Sequence, residues 1–215
     1  MRNPLVTTDD IPLHDVLAAL MEARQTVLPK RLVEPGPTPA ELRDWLASAT
    51  SAPDHERLRP WRLVLVPALQ RPCLGQAFAD ALLERDPGAT TEQLVQARDK
   101  ALRAPVLLVV VVDAACGDPE IDLHERIVSA GCAVQNLLLM ATARGWGSGL
   151  TSGKAMKSTA LRALLDLGPQ EHALCCLSVG SVSARKPTPP RPGVHDIVRT
   201  LTDAGPVDGL HTDTP

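Results

Sequence analysis

The hydrophobic positions of the chain form three extended runs that predict the strands of a sheet. Residues 106–112 are seven consecutive apolar residues, and five of them are valines, which favour extended backbone. Residues 173–179 and 61–66 form two further runs. Because residues 61–66 are nearly all apolar, we expect that strand to be covered on both faces.

Other apolar residues recur every three or four positions, which predicts amphipathic helices. The second helix has the clearest start, because Thr38-Pro-Ala-Glu41 has the form of a capping box with proline at the first helical position. The longest predicted helix is apolar on nearly every side between residues 127 and 140, so we expect it to be a central helix of the fold. The predicted helices span residues 11–23, 38–51, 68–86, 90–103, 123–144 and 158–165.

The order of these elements predicts one α+β domain with two appended segments. The 215 residues contain no internal repeat and no domain linker, and the long helix interrupts the alternation of strands and helices. Residues 1–23 form an N-terminal tail and first helix, and residues 24–184 form the main domain. Residues 185–215 are a proline-rich tail that is helical at most briefly, near 197–201, and otherwise lies along a surface or is disordered.

Composition excludes several classes of function. The net charge is −3 and the aromatic residues are three Trp and one Phe, which argues against nucleic-acid binding and against attraction to anionic membranes. The longest apolar run is too short to span a bilayer, and the first residues lack the apolar core of a signal peptide. Five cysteines without a C-x-x-C motif suit a reducing cytoplasm, and the scattered histidines form no metal-binding pair.

Two loops carry the residues with the most chemical potential. The first is Ser51-Ala-Pro-Asp-His55, followed by three arginines at positions 57, 59 and 62; it joins a helix to a strand, where binding residues usually lie. The second is the glycine-rich run at residues 145–153, whose glycines allow a close approach to a flat ring or a phosphate. A simple turn between two helices would explain these glycines equally well. Ser148 and Ala155 exclude a P-loop, which requires Gly and Ser/Thr at those positions.

The segments Ala52-Pro-Asp-His55 and Pro60-Trp-Arg62 resemble the compact branch of the nitroreductase family of flavin-dependent oxidoreductases. The segments at residues 31–38 and 129–132 fit the same branch, and the resemblance runs from residue 24 to residue 179. It implies an α+β sandwich in which helices flank a central sheet and a long buried helix lies in the middle. It also implies a homodimer with two FMN sites, which takes electrons from NADH or NADPH and passes them to a small electrophile such as a nitroaromatic or a quinone.

The resemblance also implies which residues hold the cofactors, while the flavin itself carries the chemistry and no catalytic side chain is needed. Arg24 corresponds to a residue that binds the flavin phosphate, and Ser51 and His55 correspond to residues that reach the flavin from the second subunit. The FMN positions are Arg24, Gln25, Thr26, Ser51, His55, Leu150, Thr151 and Ser152. The positions implied for NAD(P)H are Met140, Ala141, Thr142, Ala143, Arg144 and Gly145.

Three positions that are often basic in this branch are Gln25, Ser51 and Thr151 here. Lys30, Lys154, Arg57 and Arg59 are the cations that could compensate. Two other interpretations therefore stay open: a cofactor-free dimer of the same fold with a binding or structural role, and an enzyme that uses the cleft for a different flavin reaction. Without the resemblance, Arg24 is an ordinary basic residue at a helix end, and His55 merely satisfies loop carbonyls.

Overall fold

An antiparallel five-stranded sheet forms the centre of the first of two structural units. The computed structural model describes residues 11–185, 187, 190–203 and 205–210, and the chain divides into units Met1–Arg185 and Lys186–Pro215. The predicted N-terminal tail at residues 1–10 lies outside the described residues. The strands of the first unit are β1 (Leu32–Val33), β2 (Trp61–Leu65), β3 (Val106–Asp113), β4 (Gly147–Thr151) and β5 (Glu171–Val182).

The strands pair in the order β1-β5-β3-β2, and β4 also pairs with β5. Strand β3 confirms the strand predicted over residues 106–112, and it is buried from Val106 to Val112. The prediction that β2 is covered on both faces was wrong, because its Arg62 and Leu65 are exposed. Strand β2 lies at the end of the strand order. An apolar run predicts a strand, but its position in the sheet depends on which distant segments pair with it.

The described residues of the first unit include six α-helices, close to their predicted positions. Two helices begin with a complete capping box, in which the side chain of each of two residues accepts a hydrogen bond from the backbone amide of the other. The pairs are Thr38 with Glu41 and Thr90 with Gln93. The helices are α1 (Leu13–Ala23), α2 (Pro39–Ala47), α3 (Arg71–Arg85), α4 (Thr91–Asp99), α5 (Leu123–Ala143) and α6 (Thr159–Leu164).

Each face of the sheet carries its own hydrophobic core. On one face α2 and α5 pack together, and the Trp45 indole donates a hydrogen bond to the Leu137 carbonyl at 2.8 Å. On the other face α3 and α6 contribute Leu74 and Leu161, which pack on the alternate side chains of β3. The long helix α5 is apolar and long enough to cross a membrane by length and composition alone, but its sheet-facing residues are part of the first core.

Some apolar residues of α1 and α5 remain exposed in the single chain. Helix α1 has no buried residue, although Leu13, Val16, Leu17 and Met21 form an apolar face. Val128 of α5 is 64% exposed, and the neighbouring Ile127 is also exposed. These residues form apolar surface that the rest of the described chain leaves uncovered.

In the second unit, the described residues form a β-hairpin. Strand β6 (Arg199–Thr202) pairs antiparallel with β7 (Gly205–Asp208), and Arg199 bonds to Asp208 at 2.7 Å. A 3₁₀ helix covers Val194–Asp196, so the brief helical segment expected near residues 197–201 lies just before them, and residues 199–202 are a strand instead. Thr200 and Thr202 favour extended backbone, and Gly205 adopts a φ of 107° that the hairpin end requires.

Candidate cofactor site

Thr26 and Ser148 form a parallel β-bridge that brings together two segments 122 residues apart. The Val27 amide donates a hydrogen bond to the Ser148 carbonyl at 2.8 Å. The first segment is the chain after α1, which includes Arg24, Gln25 and Thr26. The second is β4, which leads into Leu150, Thr151 and Ser152. The structure therefore joins the two segments that carry these groups of predicted FMN residues.

The glycines of β4 are needed because the neighbouring chain leaves no room for side chains. A Cβ atom on Gly149 would lie 2.3 Å from the Val27 carbonyl oxygen, and one on Gly147 would lie 2.4 Å from a methyl carbon of Val182. Residues 147–151 are a strand, so the expectation of a glycine-rich turn was wrong for them. The glycines do permit a close approach, but the group that approaches is the chain at Val27.

Both segments continue into a cleft of about 830 Å³ on the α3–α4 side of the sheet. Residues 28–30 line it from the first segment and residues 151–156 from the second. Leu107, Cys176 and Ser178 contribute from β3 and β5. This volume falls in the range of roughly 300–1,000 Å³ that is typical of cofactor sites.

The cleft is strongly basic although the protein as a whole is acidic. None of the described lining residues is an aspartate or glutamate. Five cationic side chains line the cleft, and they form no ion pair with any described residue. A local excess of positive charge of this kind favours an anionic ligand. We call these side chains the cation cluster: Lys30, Arg85, Lys100, Arg103 and Lys154.

Comparison with known proteins agrees with this architecture. The Nitroreductase family model matches residues 23–181. The chain belongs to the nitroreductase family. A candidate NAD(P)H nitroreductase of Haemophilus influenzae is 30% identical over 152 residues, which cover 71% of this chain and 82% of the relative. The resemblance seen in the sequence is thus confirmed, and the family is one of oxidoreductases.

Two solved structures show the same fold. A nitroreductase-like family protein from Bacillus cereus has a TM-score of 0.72 at 20% identity, covering 86% of this chain and 95% of its own. A nitroreductase with bound FMN from Bacteroides fragilis has a TM-score of 0.66 at 18% identity, covering 85% and 98%. The predicted nitroreductase-like sandwich, with helices around a central sheet, is confirmed.

At the mouth of the cleft, residues 150–153 present backbone and hydroxyl groups that a ligand could contact. Gly153 has a φ of 150°, and a Cβ atom there would meet nothing within 4 Å. The Ser152 hydroxyl donates a hydrogen bond to the Leu174 carbonyl at 2.8 Å, so it is already engaged within the chain. Thr151 is exposed at the mouth, and Leu150 beside it is 40% exposed.

Ser51 and His55 lie on a different part of the molecule and do not line the cleft of their own chain. Ser51 ends a short 3₁₀ helix that packs on α5. The His55 Nδ1 atom lies 3.0 Å from a carboxylate oxygen of Glu125, and this hydrogen bond raises the pKa of His55 above its usual value. The following Glu56 has a φ of 49°, so the loop holds a conformation that is costly for a residue with a side chain.

The helix end predicted for NAD(P)H lies at the C-terminus of α5. Ala141 is fully buried, and its carbonyl accepts a hydrogen bond from the Trp146 amide at 2.8 Å. Arg144 lies 3.5 Å from the carboxylate of Asp44. Gly145 has a φ of 79°, which ends the helix. The backbone groups at this end of α5 therefore mostly form hydrogen bonds within the helix and the turn that ends it.

Arg71 supports the cleft, and no pattern in the sequence indicates this role. It is buried at the start of α3 and donates hydrogen bonds only to backbone carbonyls, and this burial lowers its pKa. Two acceptors are the carbonyls of Ala101 and Arg103, at 3.0 and 3.2 Å. Arg71 thereby fixes the segment that carries two members of the cation cluster. Its full set of acceptors is Val66, Ala101, Arg103, Ala104 and Pro105.

The cysteine in the cleft has the wrong environment for a nucleophile. Cys176 is buried, and loss of solvent raises the pKa of its thiol to about 12. The neighbouring Cys175 thiol has a pKa raised to about 11 for the same reason. At neutral pH both remain protonated, so they act as small apolar residues.

Proposed function

We propose that this protein is an FMN-dependent oxidoreductase that passes electrons from NADH or NADPH to a small electrophile such as a nitroaromatic or a quinone. The observation that carries the proposal is the pairing of Thr26 with Ser148. It aligns the two implied FMN segments, and both then enter one basic cleft of suitable volume.

FMN, when bound, supplies the redox chemistry, and the chain's residues bind and orient it. Arg24 and Thr26 would hold the phosphate, because a guanidinium and a hydroxyl form charge-assisted hydrogen bonds with phosphate oxygens. Gln25 beside them contributes an amide. Residues 150–152 would hold the ribityl chain and the ring, with the open backbone at Gly153 allowing a close approach.

Three positions that are often basic in relatives are not basic here, and they decide whether the residues present fit FMN. Gln25, Ser51 and Thr151 each remove a charge that relatives often use, and one lost charged contact costs about 1.5–3 kcal/mol. Lys30 and Lys154 line the cleft at the ends of the two FMN segments. These two lysines restore positive charge at the site, so the residues present fit an anionic cofactor.

We further propose that the protein is a cytoplasmic homodimer with a site shared between subunits. The exposed apolar residues of α1 and α5 supply the surface that a second copy would cover. Ser51 and His55 lie outside the cleft of their own chain, as expected for residues that serve the site of the other subunit. The described cysteines are all free, which agrees with a reducing compartment.

An absorption spectrum of the purified protein, followed by titration with FMN, tests this function. We expect the bands of an oxidised flavin, or their appearance on titration, and faster oxidation of NADPH when a quinone is added. Arg24→Ala should abolish FMN retention, whereas Arg43→Ala, a change at an exposed arginine of α2, should not. A colourless protein that ignores micromolar FMN would favour the cofactor-free dimer instead.

A further inference from the structure

We infer that the cation cluster binds the phosphates of the nicotinamide dinucleotide, and that the C-terminal end of α5 does not. This inference rests on the proposed function, because it assigns the electron donor to the cleft that leads from the flavin. It places the anchor of the donor on the α3–α4 side of the sheet. The α5 end belongs to the opposite face of the sheet.

The number and arrangement of the cations indicate a ligand with several negative charges. Five cationic side chains surround one cleft, and no carboxylate of the described lining neutralises them. They come from the chain before β1, from α3, from the segment after α4 and from the 3₁₀ helix after β4. In the proposed function, Arg24 and Thr26 hold the single phosphate of FMN. With Lys30 and Lys154 adding charge beside that phosphate, Arg85, Lys100 and Arg103 remain, and these three suit a pyrophosphate with a further phosphate.

The cluster also lies at a suitable place for a dinucleotide. Lys154 directly follows Gly153, where the backbone is open to a bound ring. Lys100 and Arg103 lie on the α4 side of the same cleft, held in place through the hydrogen bonds of Arg71 to this segment. A nicotinamide at the mouth would thus have its phosphates directed toward the cluster within one continuous cavity.

The C-terminal end of α5 is a poor site for phosphates. The C-terminus of a helix carries the negative end of the helix dipole and repels anions. Arg144 is the one cation of residues 140–145, and it lies against Asp44. The Arg144 amide is also engaged, because it donates a hydrogen bond to the Met140 carbonyl at 3.1 Å.

This assignment predicts a preference between the two dinucleotides. NADPH carries a 2′-phosphate that NADH lacks, so the cluster should bind NADPH more tightly. Attraction between solvent-exposed charges is screened by salt, so the advantage should shrink as ionic strength rises. Of the cluster, only Arg103 is partly buried, and the other members are exposed.

Equilibrium binding of redox-inactive fragments tests the inference. Calorimetry of the FMN-loaded protein would use ADP-ribose and its 2′-phosphorylated form as probes. The double variant Lys100→Gln/Arg103→Gln should weaken both by at least about tenfold, and the 2′-phosphorylated probe more, since each charged hydrogen bond is worth about that factor. Lys157→Gln is the matched control, because Lys157 is exposed on the same 3₁₀ helix as Lys154 but does not line the cleft.

Three results would overturn the inference. The first is unchanged probe affinity in the double variant. The second is a double variant that no longer retains FMN, which would assign the cluster to the cofactor. The third is that Arg144→Gln, rather than the double variant, abolishes probe binding. If the protein binds no FMN at all, the proposed function fails, and the same titrations on the cofactor-free protein still decide whether the cluster binds phosphates.

Discussion

Thr26 lies beside Ser148 in a parallel bridge, and the adjacent Val27 amide bonds to the Ser148 carbonyl at 2.8 Å. This contact joins the chain that follows α1 to strand β4. It is possible only because Gly149 carries no side chain opposite the Val27 carbonyl. The geometry of the candidate cofactor site therefore depends on one glycine and one backbone pairing.

Gly149→Ala should disturb this pairing. The new Cβ atom would lie 2.3 Å from a backbone oxygen, so the chain at Val27 must move. Overpacking of this kind costs about 1–3 kcal/mol, and we expect that loss in the free energy of unfolding. Urea denaturation would measure it, and FMN titration should show weaker binding.

Gly88→Ala is the control for this change, because the nearest atom to a Cβ there is 3.5 Å away in an exposed turn. It should alter stability by less than about 0.5 kcal/mol. Equal stability of the Gly149→Ala and Gly88→Ala proteins would contradict the steric role of Gly149.

Arg126 should be essential for stability rather than for binding. Its side chain is 1% exposed, and the guanidinium donates to the carbonyls of Cys116, Asp118 and Ile121 at 2.7, 2.6 and 2.9 Å. Arg126→Met would leave several buried acceptors unsatisfied, at about 1–3 kcal/mol for each group. We expect a loss of about 3 kcal/mol or more in chemical denaturation, whereas Arg43→Met on the surface of α2 should have little effect. A loss below about 1 kcal/mol would show that water can replace the guanidinium.

Val128→Glu should convert a dimer into monomers. Val128 is 64% exposed on α5, next to the exposed Ile127, and a charge there could not be buried against a second copy without a large cost. Light scattering would report the mass, and FMN affinity should fall with it, because Ser51 and His55 are proposed to serve the other subunit. Leu69→Glu is the control, since Leu69 is 89% exposed but lies outside α1 and α5. A Val128→Glu protein that stays dimeric would place the interface elsewhere.

The Arg62–Glu171 ion pair should contribute stability that depends on pH. Arg62 donates two hydrogen bonds to the Glu171 carboxylate, at 2.7 and 3.1 Å, and they lower the pKa of Glu171 below its usual 4.5. A carboxylate with a depressed pKa stabilises the fold above its unfolded pKa, and this contribution is lost as pH falls through the folded value. Arg62 is 44% exposed, so solvent screening limits the effect to about 0.5–1 kcal/mol.

Arg62→Gln tests this pair through the unfolding free energy of both proteins as a function of pH. The variant should be less stable at neutral pH, and the difference should vanish well below pH 4.5, where Glu171 is protonated in both proteins. A difference that stays constant across this range would mean that Arg62 acts through packing instead.

The sequence by itself determined the elements whose signals are local. The capping boxes at Thr38 and Thr90 fixed the starts of α2 and α4, because their hydrogen bonds join residues three apart. The valines of β3 predicted a buried strand, since β-branched side chains favour extended backbone wherever they lie. The family resemblance also came from the sequence, because it rests on short segments in a fixed order.

The tertiary structure alone decided the features that join distant segments. The edge position of β2 and the strand character of residues 147–151 depend on partners far along the chain, so a local pattern could not reveal them. The cation cluster is a further example, because its five members are scattered between residues 30 and 154 and no spacing relates them. Folding brings them together because α3 and α4 lie on the side of the sheet to which the segments before β1 and after β4 also lead, and that packing decides which charges share a cleft.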